Sequence, residues 1–302
     1  MKKYEFTGEV KVKFGVTFKR IRALIDFGNV KKGELGGFIE KEENLSYAGN
    51  AWVYGDAEVS GNARVSGNAR VYGDAWVYGN AKVYDDAWVY GNARVSDDAE
   101  VSGDAEVSGN ARVYGNAWVY GDAEVSGNAR VSGNAKVYGD AEVSGNARVS
   151  GNAWVYGDAE VSGNAKVSGN ARVYGDAWVY GNAKVYDDAW VYGNARVSDD
   201  AEVSGDAEVS GNARVSGNAR VSGNAEVSGN ADYVLIGRIG SRFGFTTFFR
   251  NKNNEIYVSC GCFLGTLAKF RKKVKETHGT DTKYAKVYQA AADLAEMQIL
   301  NK

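Results

Sequence analysis

The 302-residue chain has no proline, two cysteines and a single histidine. Without proline, its turns fall to glycine, asparagine and aspartate, which reach left-handed backbone angles instead. Cys260 and Cys262 are separated by one residue, too few and too close for a disulfide framework. No apolar run follows Met1-Lys2-Lys3-Tyr4-Glu5 as it would in a signal peptide, and no stretch is long enough to span a membrane. The expectation is a cytoplasmic protein that does not enter membranes. Large apolar residues are also scarce relative to alanine and valine. Much of the core must therefore come from stacking small side chains.

The net charge of -2 conceals a strong asymmetry. Residues 51–232 carry 14 basic against 26 acidic side chains, whereas residues 233–302 carry 12 against 5. An acidic middle thus lies between a mildly basic head and a basic tail.

That middle segment is a repeat. Alanine recurs every six residues from Ala51 to Ala231 without an insertion, and valine follows two residues later from Val53 to Val227. The unit reads Ala-x-Val-[Ser/Tyr]-[Gly/Asp]-[Asn/Asp]. Ala and Val, two apart, share the inner face of a short strand, while the x and Ser/Tyr positions face out. The Gly-Asn or Gly-Asp pair then turns the chain. This hexad resembles that of the left-handed parallel β-helix, and the resemblance implies three hexads per coil. An internal check exists: 121–138, 139–156 and 157–174 each read GDAEVS-GNA[R/K]VS-GNA[K/W/R]VY, an 18-residue super-period. About ten regular coils would make a rod roughly 48 Å long. Residues 65–113 also recur identically at 167–215, an offset of 17 hexads that turns the copy by one face.

Stacking at 18 aligns side chains in columns. One face and its corner form an acidic edge: Asp86, Asp104, Glu106, Asp122, Glu124, Asp140, Glu142, Asp158, Glu160 and Asp176. Two readings are open there, a divalent cation or basic partner along the edge, or plain solvated carboxylates. The next face is basic: Arg94, Arg112, Arg130, Arg148, Lys166 and Lys184. The third alternates aromatic and basic residues, Trp118, Lys136, Trp154, Arg172 and Trp190, beside Tyr120, Tyr138, Tyr156, Tyr174 and Tyr192. That stripe could stack sugars or bases or meet a partner protein; the alternative is ladder packing between strands.

The hexapeptide β-helix also carries acyltransferases and γ-class carbonic anhydrases, whose chemistry requires histidine. Here His278 lies outside the repeat and no loop interrupts residues 51–231, so no enzyme is expected. No cofactor is expected either, apart from a divalent cation at the acidic edge.

Residues 1–50 read as an N-terminal β cap and first coil, residues 51–232 as the β-helix, and residues 233–302 as a small ββαα domain. In the last, 245–249 and 256–260 flank a hairpin turn, Thr266 caps a helix that stops at Gly279, and a second helix runs from Thr282 to Leu300. Cys260, Cys262 and His278 are three candidate metal ligands without a fourth, and buried structural cysteines are the competing reading. The run from Asp26 to Val53, together with Ser259-Cys-Gly-Cys-Phe263 and Glu276-Thr-His-Gly279, resembles uncharacterised hexapeptide-repeat proteins of phages and prophages. That resemblance implies a structural or adaptor protein in a phage particle or the host cytoplasm, with a protein partner or self-association. Two alternatives stand beside it: a binding module for polysaccharide, nucleic acid or nucleotide, and an inhibitor of a host nucleic-acid-handling or defence protein.

Overall fold

The computed structural model describes residues 2–300. The chain is a parallel β-solenoid of about eleven turns, with a small C-terminal region of two helices and an antiparallel sheet. It divides into two compact units, 1–163 and 164–302.

In the first unit every hexad contributes one short strand, and strands 18 residues apart pair in parallel, as in Glu124↔Glu142, Arg130↔Arg148 and Lys136↔Trp154. Three sheets result, one for each hexad of the coil. Ala51 through Ala225 and Val53 through Val227 are fully buried at every repeat, in both units. Complete burial of each valine contributes roughly 1.5–3 kcal/mol against exposure, so a core of small residues suffices when it is repeated. Ala231 lies past the final coil and is only half-buried.

The corners explain the glycines. In the corner after Ser126, the Ala129 N–H bonds the Ser126 carbonyl at 3.2 Å, and Gly127 sits at φ +64. Asn amides stack one coil above the next, Asn110 donating to Asn128 at 3.1 Å and Asn128 to Asn146 at 3.1 Å. At four corners an aspartate takes the glycine position, Asp85, Asp97, Asp187 and Asp199, with φ between 58° and 61°. Each then accepts an N–H one coil on; Gly115 N donates to Asp97 Oδ2 at 3.0 Å.

Between coils the N–H of residue i donates to the carbonyl of residue i+17, as in Glu124 to Ala141 at 3.0 Å and Arg130 to Ala147 at 2.9 Å. The first coil therefore presents carbonyls that no preceding coil can satisfy. The N-terminal cap supplies donors. Strands β1 (Tyr4–Lys13) and β2 (Val16–Ala23) form an antiparallel hairpin, β2 pairs with β3 (Leu35–Ile39), and β3 runs parallel to Glu58–Val59. Phe38 N and Glu40 N donate to Ala57 O and Val59 O, and the buried Asn44 amide donates to Gly61 O and Ala63 O. Lys3, only 1% exposed, sends its ammonium to Ala51 O at 2.8 Å and lies 4.8 Å over the Phe27 ring. Trp52 fills the space beneath, against Tyr4 and Phe27.

In the second unit the last coil has the opposite need, since its N–H groups have no following carbonyl. Arg214 N is met by Asn230 Oδ1 at 2.9 Å and Arg220 N by Thr247 Oγ1 at 2.9 Å, while Ala225 bridges Asn251. The expected hairpin is the centre of a four-stranded sheet, β5 (Gly244–Arg250) with β6 (Ile256–Cys260), flanked by β4 (Tyr233–Ile239) and β7 (Phe263–Thr266). Gly237 and Gly265 interrupt the two outer strands, and the last is only four residues long, which hid them from a reading by alternation. Helix α1 (Leu267–His278) starts at Thr266, whose hydroxyl accepts Lys269 N, and ends at Gly279; α2 is Lys283–Leu300. Phe248, Val258, Phe270, Ala292, Ala295 and Ile299 form the core between sheet and helices. The buried Asp232 carboxylate pairs with Arg250 at 3.0 Å and accepts Ser228 and Gly229 N–H.

Two outcomes follow. A Cβ on Gly133 would lie 2.9 Å from Gly151 O at φ +70. Gly133→Val should therefore destabilise the protein by about 2 kcal/mol or more in chemical denaturation, with Gly133→Asp at least about 1 kcal/mol milder because aspartate is tolerated at equivalent corners. Burial pushes the Lys3 ammonium down to about 8 from 10.5. The folded state then binds fewer protons than the unfolded one between those values, so stability rises with pH there, by up to ~1.4 kcal/mol per unit. Lys3→Met should flatten that slope when wild type and variant are unfolded in parallel between pH 7.5 and 10.5.

Candidate functional site

The outward columns of the first unit are ordered by the strand register. On one sheet Trp88, Glu106, Glu124, Glu142 and Glu160 are successive neighbours. On the next, Trp76, Arg94, Arg112, Arg130 and Arg148 are. On the third, Lys82, Glu100, Trp118, Lys136 and Trp154 are. Neighbours in such a column stand ~4.8 Å apart at the backbone.

Columns of mixed sign neutralise themselves. Lys82 pairs with Glu100 at 2.7 Å, and Tyr84 OH donates to the same carboxylate at 3.0 Å. The hydrogen bond to Glu100 raises the Lys82 pKa. The like-charged columns do not. Among the described residues no ion pair engages Arg94, Arg112, Arg130 or Arg148, nor Glu106, Glu124, Glu142 or Glu160. Glu106 accepts a bond from Tyr90 OH at 2.9 Å, and Arg94 lies 6.0 Å from the Trp76 ring. All four arginines are exposed, and Arg94, Arg112 and Arg130 line a groove with Tyr78 and Tyr114.

The corner carboxylates of the acidic edge divide by unit. Asp86, Asp104, Asp122, Asp140 and Asp158 belong to the first and Asp176 to the second. Asp86 accepts the Asn68 amide at 3.0 Å. Among the described residues no group of three or more His, Cys, Asp or Glu has a geometry that could hold a metal ion.

The aromatic column is packed on itself. Tyr120 and Tyr138 stack with centroids 4.8 Å apart, as do Tyr138 and Tyr156 at 4.9 Å. Lys136 Nζ stands 5.1 Å from both the Trp118 and Trp154 rings, so the cation is shared between two indoles. Trp118 remains 44% exposed. In the second unit Arg172 lies 5.0 Å over Trp190, and Tyr174 stacks on Tyr192 at 5.0 Å. Lys166 and Lys184 are neighbours there, with Lys184 paired to Glu202 at 2.8 Å. That pair repeats Lys82–Glu100 at the 102-residue offset.

Cys260, Cys262 and His278 are not gathered. Cys260 is half-buried and accepts Thr246 Oγ1 at 3.2 Å, Cys262 is exposed, and His278 stacks on Tyr288 at 5.8 Å. Burial pushes the Tyr288 hydroxyl up to about 12, with Cys260 beside it adding to the shift. The basic residues of α1 are partly engaged, since Arg271 bridges Asp293 and Glu296 of α2. No helix among the described residues is long and apolar enough to cross a membrane.

With this geometry in place, the chain is a β-helix repeat protein, and two families match parts of it. Residues 57–73, 63–79 and 207–223 match the YdcK β-solenoid repeat. Residues 93–196 match bactofilin, described as polymer-forming cytoskeletal. No curated protein matches the sequence. Among solved structures sixteen chains match; one is the UDP-N-acetylglucosamine acyltransferase of Arabidopsis, 12% identical over 81% of this chain and 90% of that one, with a TM-score of 0.39.

If Lys136 is held between two indoles, Lys136→Ala should lower stability by about 0.5–1 kcal/mol and alter the tryptophan emission. Denaturation followed by fluorescence and by circular dichroism measures both effects.

Proposed function

We propose that this protein is a non-catalytic scaffold that works by associating with further copies of itself. The observation that carries this reading is the pair of like-charged ladders on the first unit, the arginines exposed, the glutamates half-buried apart from exposed Glu124, and neither engaged in an ion pair among the described residues, within the segment that matches a polymer-forming family. A folded chain gains nothing from stacking four like charges, since each adjacent pair repels by roughly 1 kcal/mol in water. A partner surface of opposite sign removes that cost.

The absence of chemistry in the proposal rests on the side chains present. The single histidine stacks on Tyr288 at the end of α1. The solenoid runs from Trp52 to Val227 as an unbroken series of short strands. The phage setting implied by residues 26–53 adds nothing to this reading, which needs only the faces.

The expected outcome is concentration-dependent assembly in sedimentation velocity and light scattering of the full chain at low ionic strength. Electron microscopy of the same samples should show multimers. A single monomeric species from micromolar to hundred-micromolar concentration would overturn the proposal.

A further inference from the structure

Resting on that self-association, we infer that copies join side to side, the arginine ladder of one seated on the glutamate ladder of the next, and not through the edges of the solenoid.

The terminal segments cover the edges. In the first unit the carbonyls of the first coil are taken by Lys3, Asn44, Phe38 N and Glu40 N. In the second, N–H groups of the last coil are taken by Asn230 and Thr247, and Asn251 bridges Ala225. A strand edge whose groups are already bonded is not a template for another chain.

The faces are open and matched. Arg94, Arg112, Arg130 and Arg148 form one column, and Glu106, Glu124, Glu142 and Glu160 form another. Both columns inherit their spacing of ~4.8 Å from the same strand separation, so four guanidinium groups can meet four carboxylates without distortion of either chain. The two columns occupy different sheets of one unit. Each copy therefore has one donor face and one acceptor face, and a contact between unlike faces is heterologous: it closes into a ring or continues as an open array. The contact patch is short, so single contacts are weak and strongly screened by salt, and assembly depends on many copies.

The test uses the full chain in three forms: wild type, Arg112→Glu/Arg130→Glu, and Glu124→Arg/Glu142→Arg. These positions are outward and hold Arg, Lys, Glu or Trp at other repeats, and thermal melts by circular dichroism confirm that each variant is folded. Wild type should assemble, with the apparent dissociation constant rising at least tenfold between 50 and 500 mM NaCl. Each variant alone should remain monomeric, because the two reversed positions at the centre of one column meet like charge on the other. An equimolar mixture of the two variants should assemble again, since each then offers what the other lacks. Assembly of wild type that ignores salt and both reversals overturns the ladder contact while leaving self-association standing. Wild type that is monomeric throughout overturns both. If that monomer is retained on heparin through Arg112 and Arg130, the arginine ladder serves a polyanion instead.

Discussion

The hydrogen bonds between coils are unevenly divided along the stacking direction. At the x, Ser/Tyr and Asn positions the N–H reaches toward the carbonyl 17 residues later, so the first coil is left with a surplus of acceptors and the last with a surplus of donors. That direction fixes what each terminal segment must be. The first coil presents acceptors, and the residues that cover it are donors: a lysine ammonium, an asparagine amide and backbone N–H groups. The last coil presents donors, and side-chain oxygens of Asn230 and Thr247 cover it. The two caps share no sequence pattern because they solve opposite problems. Burial of Lys3 serves this constraint, since its ammonium donates to Ala51 O. Its cost is visible in the lowered pKa.

The same polarity explains why the coils and the existence of the two terminal segments were legible in the sequence and why the individual residues that bond to the open coils were not. A hexad with Ala and Val two apart and a left-handed corner has one way to bury its apolar face, and the 18-residue super-period reports how many hexads close a turn. Thr266 and Gly279 announced α1 by ordinary capping chemistry. Lys3, Asn44 and Thr247 act through one or two side-chain hydrogen bonds to distant backbone atoms, and nothing periodic marks such residues. The column sequence showed which charges would be neighbours, so the acidic and basic ladders could be read directly. What could not be read was which of those neighbours would pair. Tyr84 turning its hydroxyl toward Glu100, and Lys136 centring itself between two indoles, depend on rotamers set by the stacked surface.

Charge along a column is governed by how the repeat was duplicated. A copy displaced by any number of hexads keeps each residue's partner 18 positions away, whichever face it lands on. That is why Lys184 and Glu202 reproduce the ion pair of Lys82 and Glu100, and why Asp187 and Asp199 cap Gly205 and Gly217 as Asp85 and Asp97 cap Gly103 and Gly115. Displacement by 17 hexads therefore leaves the local electrostatics of the copied segment unchanged. Displacement by three hexads has the opposite effect, because it places each residue directly beside its own duplicate. The three 18-residue repeats between 121 and 174 put glutamate on glutamate and arginine on arginine within the first unit.

Like-on-like stacking is favourable for aromatic rings and for amides, and unfavourable for charges. Tyr120, Tyr138 and Tyr156 gain contact area from each added copy, and each added Asn extends a hydrogen-bonded ladder. Glutamate and arginine columns gain only repulsion inside the chain, of roughly 1 kcal/mol per step before screening. A scaffold whose core is indifferent to the outward residue could have relieved that repulsion at any step by alternating sign, as the Lys82–Glu100 column does. The ladders of uniform sign are therefore a property that folding does not require, and the proposed contact between copies is where they would lower the free energy.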